Sequence, residues 1–256
     1  MAAKTYKIRA VVIRKTRLGE KDLIVTMIDE SGALVKGVAK GARKPGGSLA
    51  ARLELFSTVD ALMACGRSLD VVCEVRLVDV KSIPRELELS SCVAPIAELL
   101  GFVAQPDLMQ PRLYEMGRAA IARIADCQGQ SAQALAICAA SLWKVMAQSG
   151  FRPSFTTCVV CGTRNLPGSG DTTAVSVLDG GAVCANCPRP ADAIMVDVET
   201  VRWCEALIRS KFDEVLEYEM DTAASFEVLQ LARMWIRAHT GRDLKSLDFL
   251  FTSGLF

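Results

Sequence analysis

Two Cys-x2-Cys pairs, CVVC at 158–161 and CANC at 184–187, lie 22 residues apart. Each pair makes a tight knuckle that turns two thiolates toward one point, and two knuckles supply the four sulfurs of a tetrahedral zinc site. The spacer contains "TTAVSVLDGGAVC", which reads as a hairpin. Paired knuckles around a hairpin favour zinc over an iron–sulfur cluster. Four thiolates leave no open position for a catalytic water, so the spacing predicts a structural metal held by Cys158, Cys161, Cys184 and Cys187. Four reduced thiols without metal, or a redox pair, remain the alternatives.

The cysteines have this meaning only in a reducing compartment. No apolar run reaches 18 residues without a charge, and "MAAKTYKIRAVVIRK" carries neither a long apolar stretch nor a cleavage site. These features predict a cytoplasmic chain with no membrane partner. Its ten cysteines are then thiols or metal ligands, not a disulfide framework. The other six, Cys65, Cys73, Cys92, Cys127, Cys138 and Cys204, lie in apolar surroundings and are expected to be small core residues.

Residues 6–80 are strand-like. "LIVTMIDESGALVKGVAKGA" places two apolar runs around the turn Asp29–Gly32, and "LELFSTVDALMACGRSLDVVCEVRLVDV" repeats the pattern around Cys65–Ser68. About five short strands with short turns must close on themselves or leave unpaired edges, so a small barrel is expected. After Pro84 the apolar spacing changes to three and four residues in "SSCVAPIAELLGFVA", "RLYEMGRAAIARIADC" and "SAQALAICAASLWKVMAQSG", which predicts helices with Ser90 or Ser91 and Ser131 as N-caps. Helices resume in "VDVETVRWCEALIRSKF" and "SFEVLQLARMWIRAHTG", the latter stopped by Gly241. The chain therefore reads as an α+β multidomain protein. Its domains are a barrel at 1–82, a helical domain at 83–154 and 191–256, and a zinc-ribbon-like module with the four paired cysteines, inserted at 155–190.

Catalytic groups are scarce. The single histidine, His239, falls near a helix end, where a solvated, dipole-favoured ring is expected. No G-x-x-x-x-G-K-[ST] loop is present, so no nucleotide cofactor is indicated. Nine Asp/Glu against three Lys/Arg at 192–221 read as a solvated face. These features argue against an enzyme.

The net charge of +1 conceals an asymmetry. Residues 1–80 hold 14 Lys/Arg and 9 Asp/Glu, leaving 16 and 20 for the remainder, or +5 against −4. A basic front half points to a local anionic partner. In a strand, Lys36, Val38 and Lys40 share one face, with the lysines roughly 13 Å apart. Gly37 and Gly41 would let a bound backbone approach. Arg43, Lys44 and Arg52 flank the positive loop "GARKPGGS", and Arg14, Lys15 and Arg17 add charge on the first strand. Tyr6 and Phe56 are the only aromatic residues here, so contact with phosphates rather than base stacking is expected. The competing reading is a solvated sheet edge guarded by charge.

"AVVIRKTRLGEKDLIVTMIDESGALVKGVAKGARKP", "GFRPSFTTCVVCG", "CANC" and "RDLKSLDFL" resemble, in this order, the bacterial RecO family of recombination mediators. The resemblance implies an N-terminal OB-fold, a helical domain and a zinc module inserted in it. It implies binding of single- and double-stranded DNA, annealing of complementary strands, and work with RecR to load RecA onto strands coated by single-strand-binding protein. It places DNA contacts on the OB-fold, at Lys36, Lys40, Arg43 and Lys44 and further at Arg14, Lys15, Arg17 and Arg52. It also implies that the helical domain docks the acidic C-terminal tail of single-strand-binding protein, for which Tyr114 and Arg118, four apart on one helix, could supply an apolar wall and a cation. Some family members lack the cysteines, whereas this chain has all four. The alternative function is a protein-interaction adaptor with a structural zinc module and no direct DNA role.

Overall fold

The computed structural model describes residues 4–44, 49–79, 83–164 and 171–256. The chain divides into two compact units, 1–128 and 129–256. The far half of the "GARKPGGS" loop, residues 45–48, lies outside the described residues, as does the expected domain boundary at 82.

The first unit starts with β1 (Thr5–Leu18), β2 (Asp22–Asp29), β3 (Leu34–Ala39), the single turn α1 (Leu49–Arg52), β4 (Thr58–Ala64) and β5 (Asp70–Asp79). The strands close into a barrel in the order β1-β2-β3-β5-β4. Every pair is antiparallel except β3 with β5. This is the five-stranded barrel expected from the strand pattern, and its topology is an OB-fold. Alternation places Ala10, Val12, Val25, Met27, Val59 and Met63 inside, all fully buried. The parallel seam has only two pairs, Gly37↔Asp70 and Val38↔Val71. A Cβ on Gly37 would lie 2.6 Å from Met63 Cε and 3.0 Å from Val72 Cγ2. Gly37 therefore makes room for core side chains, not for a bound strand as its sequence position suggested. Beside the seam, α1 packs against β5. Leu53 is fully buried there, and Arg52 Nη1 donates to the Val75 carbonyl at 3.5 Å.

Two features of β1 and β2 arrange the outer face. The β1–β2 register shifts between Val12 and Arg14, a bulge that reverses which residues point outward. Before it, the outward Val11 and Ile13 are buried, as is Ile28 opposite Val11. The covering elements are α2 (Leu87–Val103) and α3 (Pro111–Asp126), which pack on each other and on β1. The β2–β3 turn is closed by Asp29, whose side chain accepts from Ser31 N at 2.9 Å and Ala33 N at 3.1 Å. Gly32 sits there at φ 81°, and a Cβ on it would lie 1.9 Å from the Gln110 carbonyl oxygen ahead of α3.

The second unit contains α4 (Ser131–Gln148), β6 (Thr172–Ser176), β7 (Gly181–Val183), β8 (Ile194–Asp197), α5 (Val198–Arg209), α6 (Phe212–Val215), α7 (Thr222–Thr240) and α8 (Lys245–Thr252). α4 is the central helix, packed on α5, α6 and α7. Trp143, Phe155 and Trp235 meet in one buried cluster with ring centres 5.6 to 6.1 Å apart. Trp235 Nε1 donates to the Phe151 carbonyl at 2.9 Å, tying α7 to the segment that leads into the cysteine module. Lys144 Nζ donates to the carbonyls of Ile208 at 2.9 Å and Ser210 at 2.5 Å, which satisfies the C-terminal end of α5. Burial lowers the Lys144 amine to about 8. Gly241, at φ 67°, ends α7 with its N–H on the Arg237 carbonyl, as the sequence indicated.

Several local expectations change. α2 begins at Leu87 with Glu86 as its cap, and the Ser90 and Ser91 hydroxyls donate back to the carbonyls of Pro84 and Leu87. Ser131 is the first residue of α4 and Gln130 its cap. A hydroxyl inside a first turn has a carbonyl in reach and does not need the cap position. Cys92, Cys127, Cys138 and Cys204 are buried as expected, but Cys65 and Cys73 are exposed. His239 is packed, not solvated: its ring lies 5.1 Å from Phe151 and 4.8 Å from Trp235, and burial lowers its pKa. Much of the acidic stretch at 192–221 caps backbone N–H groups. Asp197 accepts from Glu199 N, Asp221 from Ala224 N, Glu214 from Lys211 N and Asp192 from Leu178 N.

Candidate nucleic-acid interface and metal centre

The three-stranded sheet, in the order β7-β6-β8, supports the cysteines. The first knuckle is held by its own backbone: Gly162 N donates to Cys158 O and Cys158 N to Thr163 O, both at 2.9 Å, with Gly162 at φ 72°. It is bound to β7 through Val159 N and the Ala182 carbonyl at 3.0 Å. The second knuckle leaves β7 directly, and Cys187 N donates to Cys184 O at 3.2 Å. The two knuckles bring all four sulfurs within 4.8 Å of one another. Cys161 Sγ and Cys184 Sγ are 3.8 Å apart, the edge of a sulfur tetrahedron around a metal with bonds of about 2.3 Å. Cys184 N donates to Cys158 Sγ at 3.3 Å, and that bond leads in lowering the Cys158 thiol to about 6. The Thr163 hydroxyl, 2.7 Å from Cys161 Sγ, leads in lowering Cys161. Cys187, hydrogen-bonded to Cys161, is pushed up to about 12. Backbone and hydroxyl donors aimed at sulfur favour thiolates, the form in which cysteine binds a metal. The donor set, spacing and outer hydrogen bonds fit one metal ion.

The cations of the barrel separate into groups. Arg14 pairs with Thr26 and Thr26 with Lys36, so these three form a row across β1, β2 and β3 on the outer face. Two strand spacings put Arg14 and Lys36 about 9.6 Å apart at the backbone. Both are exposed, and Lys40 is exposed just beyond the end of β3. Arg43 and Lys44 are exposed in the following turn, where Arg43 Nη1 donates to Gly19 O at 3.2 Å. Past the bulge, Lys15 and Arg17 pair with Val25 and Leu23 and share the face of those core residues. Lys15 is half-buried and 3.5 Å from Glu54. Arg52 is exposed but engaged with the Val75 carbonyl on the β5 side. The outer row thus consists of Arg14 and Lys36, with Lys40 beyond it. Thr26 between them was not singled out from the sequence, because only the ladder register reveals it.

Tyr114 and Arg118 lie on consecutive turns of α3. Tyr114 is buried and its hydroxyl pKa is raised by that burial, whereas Arg118 is exposed.

Family models match both parts of the chain: Recombination protein O N terminal over residues 1–80 and Recombination protein O C terminal over 84–248. The chain belongs to the RecO family. Membership gives this RecO chain a role in recombinational DNA repair, with DNA and recombination proteins as its partners. Among the described residues, no helix is long and apolar enough to cross a membrane.

Proposed function

We propose that this RecO-family chain is a non-catalytic mediator that binds single- and double-stranded DNA and anneals complementary strands. The observation that carries the reading is the outward row Arg14–Thr26–Lys36 on an OB-fold. Arg14, Lys36 and Lys40 contact phosphates, Arg43 and Lys44 extend the track, and Arg17, Lys15 and Arg52 act from its margins. Neutralising phosphate charge lowers the repulsion between two strands, and base pairing supplies the free energy, so no nucleotide is consumed. RecR is the partner with which the protein loads RecA onto strands coated by single-strand-binding protein. The acidic tail of the coating protein docks at Arg118, beside Tyr114. Cys158, Cys161, Cys184 and Cys187 would hold a structural zinc ion, which when bound joins the two knuckles. The protein works in the cytoplasm.

The test is annealing of complementary strands without nucleotide, bare and then coated with single-strand-binding protein. Acceleration in both states is the expected result. Acceleration on bare DNA alone removes the assignment at Arg118. No acceleration by folded, zinc-loaded protein leaves the adaptor.

A further inference from the structure

Among the described residues, only Phe56 and Asp107 combine a side chain with positive φ. Phe56, at φ 68°, is the bulkier of the two, and a Cβ in this region crowds the carbonyl oxygen that follows it. Such strain persists only where surrounding contacts hold it. The contacts here are specific. Ser57 N donates to the Glu54 carbonyl at 3.2 Å and Ser57 Oγ to the same oxygen at 2.6 Å, closing a turn over 54–57. Phe56 N donates to the Val12 carbonyl at 2.8 Å, and Val12 N to the Ser57 carbonyl at 2.9 Å. Two residues thus oppose one, with the first left-handed, which is a β-bulge of the kind that has glycine at that position. It extends the β1–β4 ladder past its last pair, Val11↔Thr58. On the other edge of β1 the ladder to β2 passes from Val12↔Met27 to Arg14↔Thr26 and leaves Ile13 without a partner. The two irregularities meet at Val12. Glu54, at the head of the turn, also takes Lys15 Nζ at 3.5 Å.

We propose that Phe56 is a positioning residue: its left-handed backbone clamps β1 at Val12, so that the strand turns at Ile13 and Arg14 faces outward. The inference rests on the reading that Arg14 contacts phosphates. The Phe56 ring is 7% exposed, so it gives no face to a base and the residue acts through its backbone. Without the clamp the ladder on that edge of β1 stops at Val11, short of the register shift to β2. A slip of that shift by one residue exchanges Arg14 with Lys15 on the outer face, because side chains alternate along a strand. Lys15 then leaves Glu54, and the row that ends in Lys36 loses its guanidinium. The strain sits where it selects one cation over its neighbour.

The experiment uses the full-length, zinc-loaded protein with Phe56→Val and Phe56→Gly, each alone and combined with Arg14→Ala or Lys36→Ala. Valine resists the left-handed region, whereas glycine enters it freely but removes more side chain. The readout is the slope of log affinity against log salt for a fluorescent oligothymidine. In Phe56→Gly, as in the unaltered protein, Arg14→Ala is expected to reduce the slope by about 0.7, the loss of one phosphate contact. In Phe56→Val that effect of Arg14→Ala is expected to vanish, while Lys36→Ala keeps its effect in every background. A full Arg14 effect in Phe56→Val overturns the proposal. Loss of the Arg14 effect in Phe56→Gly also overturns it, since the buried ring and not the backbone is then responsible. So does loss of the Lys36 effect in Phe56→Val, which means that the whole face is disturbed. Melting curves check folding, and Phe56→Ala carries the test if Phe56→Val does not fold. If Arg14→Ala leaves the slope of the unaltered protein unchanged, the outer row of the proposed function fails, and this inference with it.

Discussion

Lys36 and Arg14 are exposed at the ends of one cross-strand row, so each should act as an independent phosphate contact. Lys36→Ala is expected to weaken single-strand binding regardless of sequence and to reduce the slope of log affinity against log salt by about 0.7. Arg52→Ala should change that slope less, because its guanidinium already donates to the Val75 carbonyl. Salt titrations of the two variants check this, and equal slopes would remove the outer row from the DNA path. Lys144 gives a pH prediction. Its folded pKa, about 8, lies below the ordinary lysine value of 10.5, so between these values the unfolded chain binds more protons. The contribution of Lys144 to stability is therefore lowest below pH 8 and rises as pH approaches 10.5. Relative to Lys144→Met, the unaltered protein should gain in melting temperature across that window, and a constant difference would contradict the assignment. The role of Lys144 is not legible from sequence: a lysine in "SLWKVMAQSG" reads as a surface charge until the carbonyls of α5 are placed beside it.

Within the barrel, two glycines carry the close approaches. Gly37→Ala forces Met63 or Val72 to move at the two-pair seam and should cost about 1–3 kcal/mol. Gly32→Ala should cost more. Its added Cβ meets the Gln110 backbone, which has no flexible end to yield, and the position has positive φ. Urea melts of both variants test the order. The strands and turns were readable because alternation and turn residues are local properties. The bulge in β1 was not: "VIRKTR" has no residue that announces it, and only pairing with β2 separates Arg14 from Lys15 and Arg17.

For the whole molecule, the cysteine module bears on the stability of the second unit. Its first knuckle is bonded to β7 and its leading segment to Trp235 of α7. Cys184→Ser, or removal of metal by a chelator, is expected to lower the melting temperature and release about one zinc per chain, because structural metal binding is coupled to folding. A melting temperature unmoved by chelation would contradict the structural role. The sequence by itself determined the five barrel strands, the five longer helices, the order of barrel, helices and insert, and the four sulfurs, but not α1, α6, α8 or β8. These rest on period, spacing and donor type within short windows. The tertiary structure alone decided which cations share a face, that Gly37 faces the core, and that Cys65 and Cys73 are exposed. Each of those depends on contacts between residues far apart in the chain, and local patterns do not encode register, bulges or the side a neighbouring helix covers.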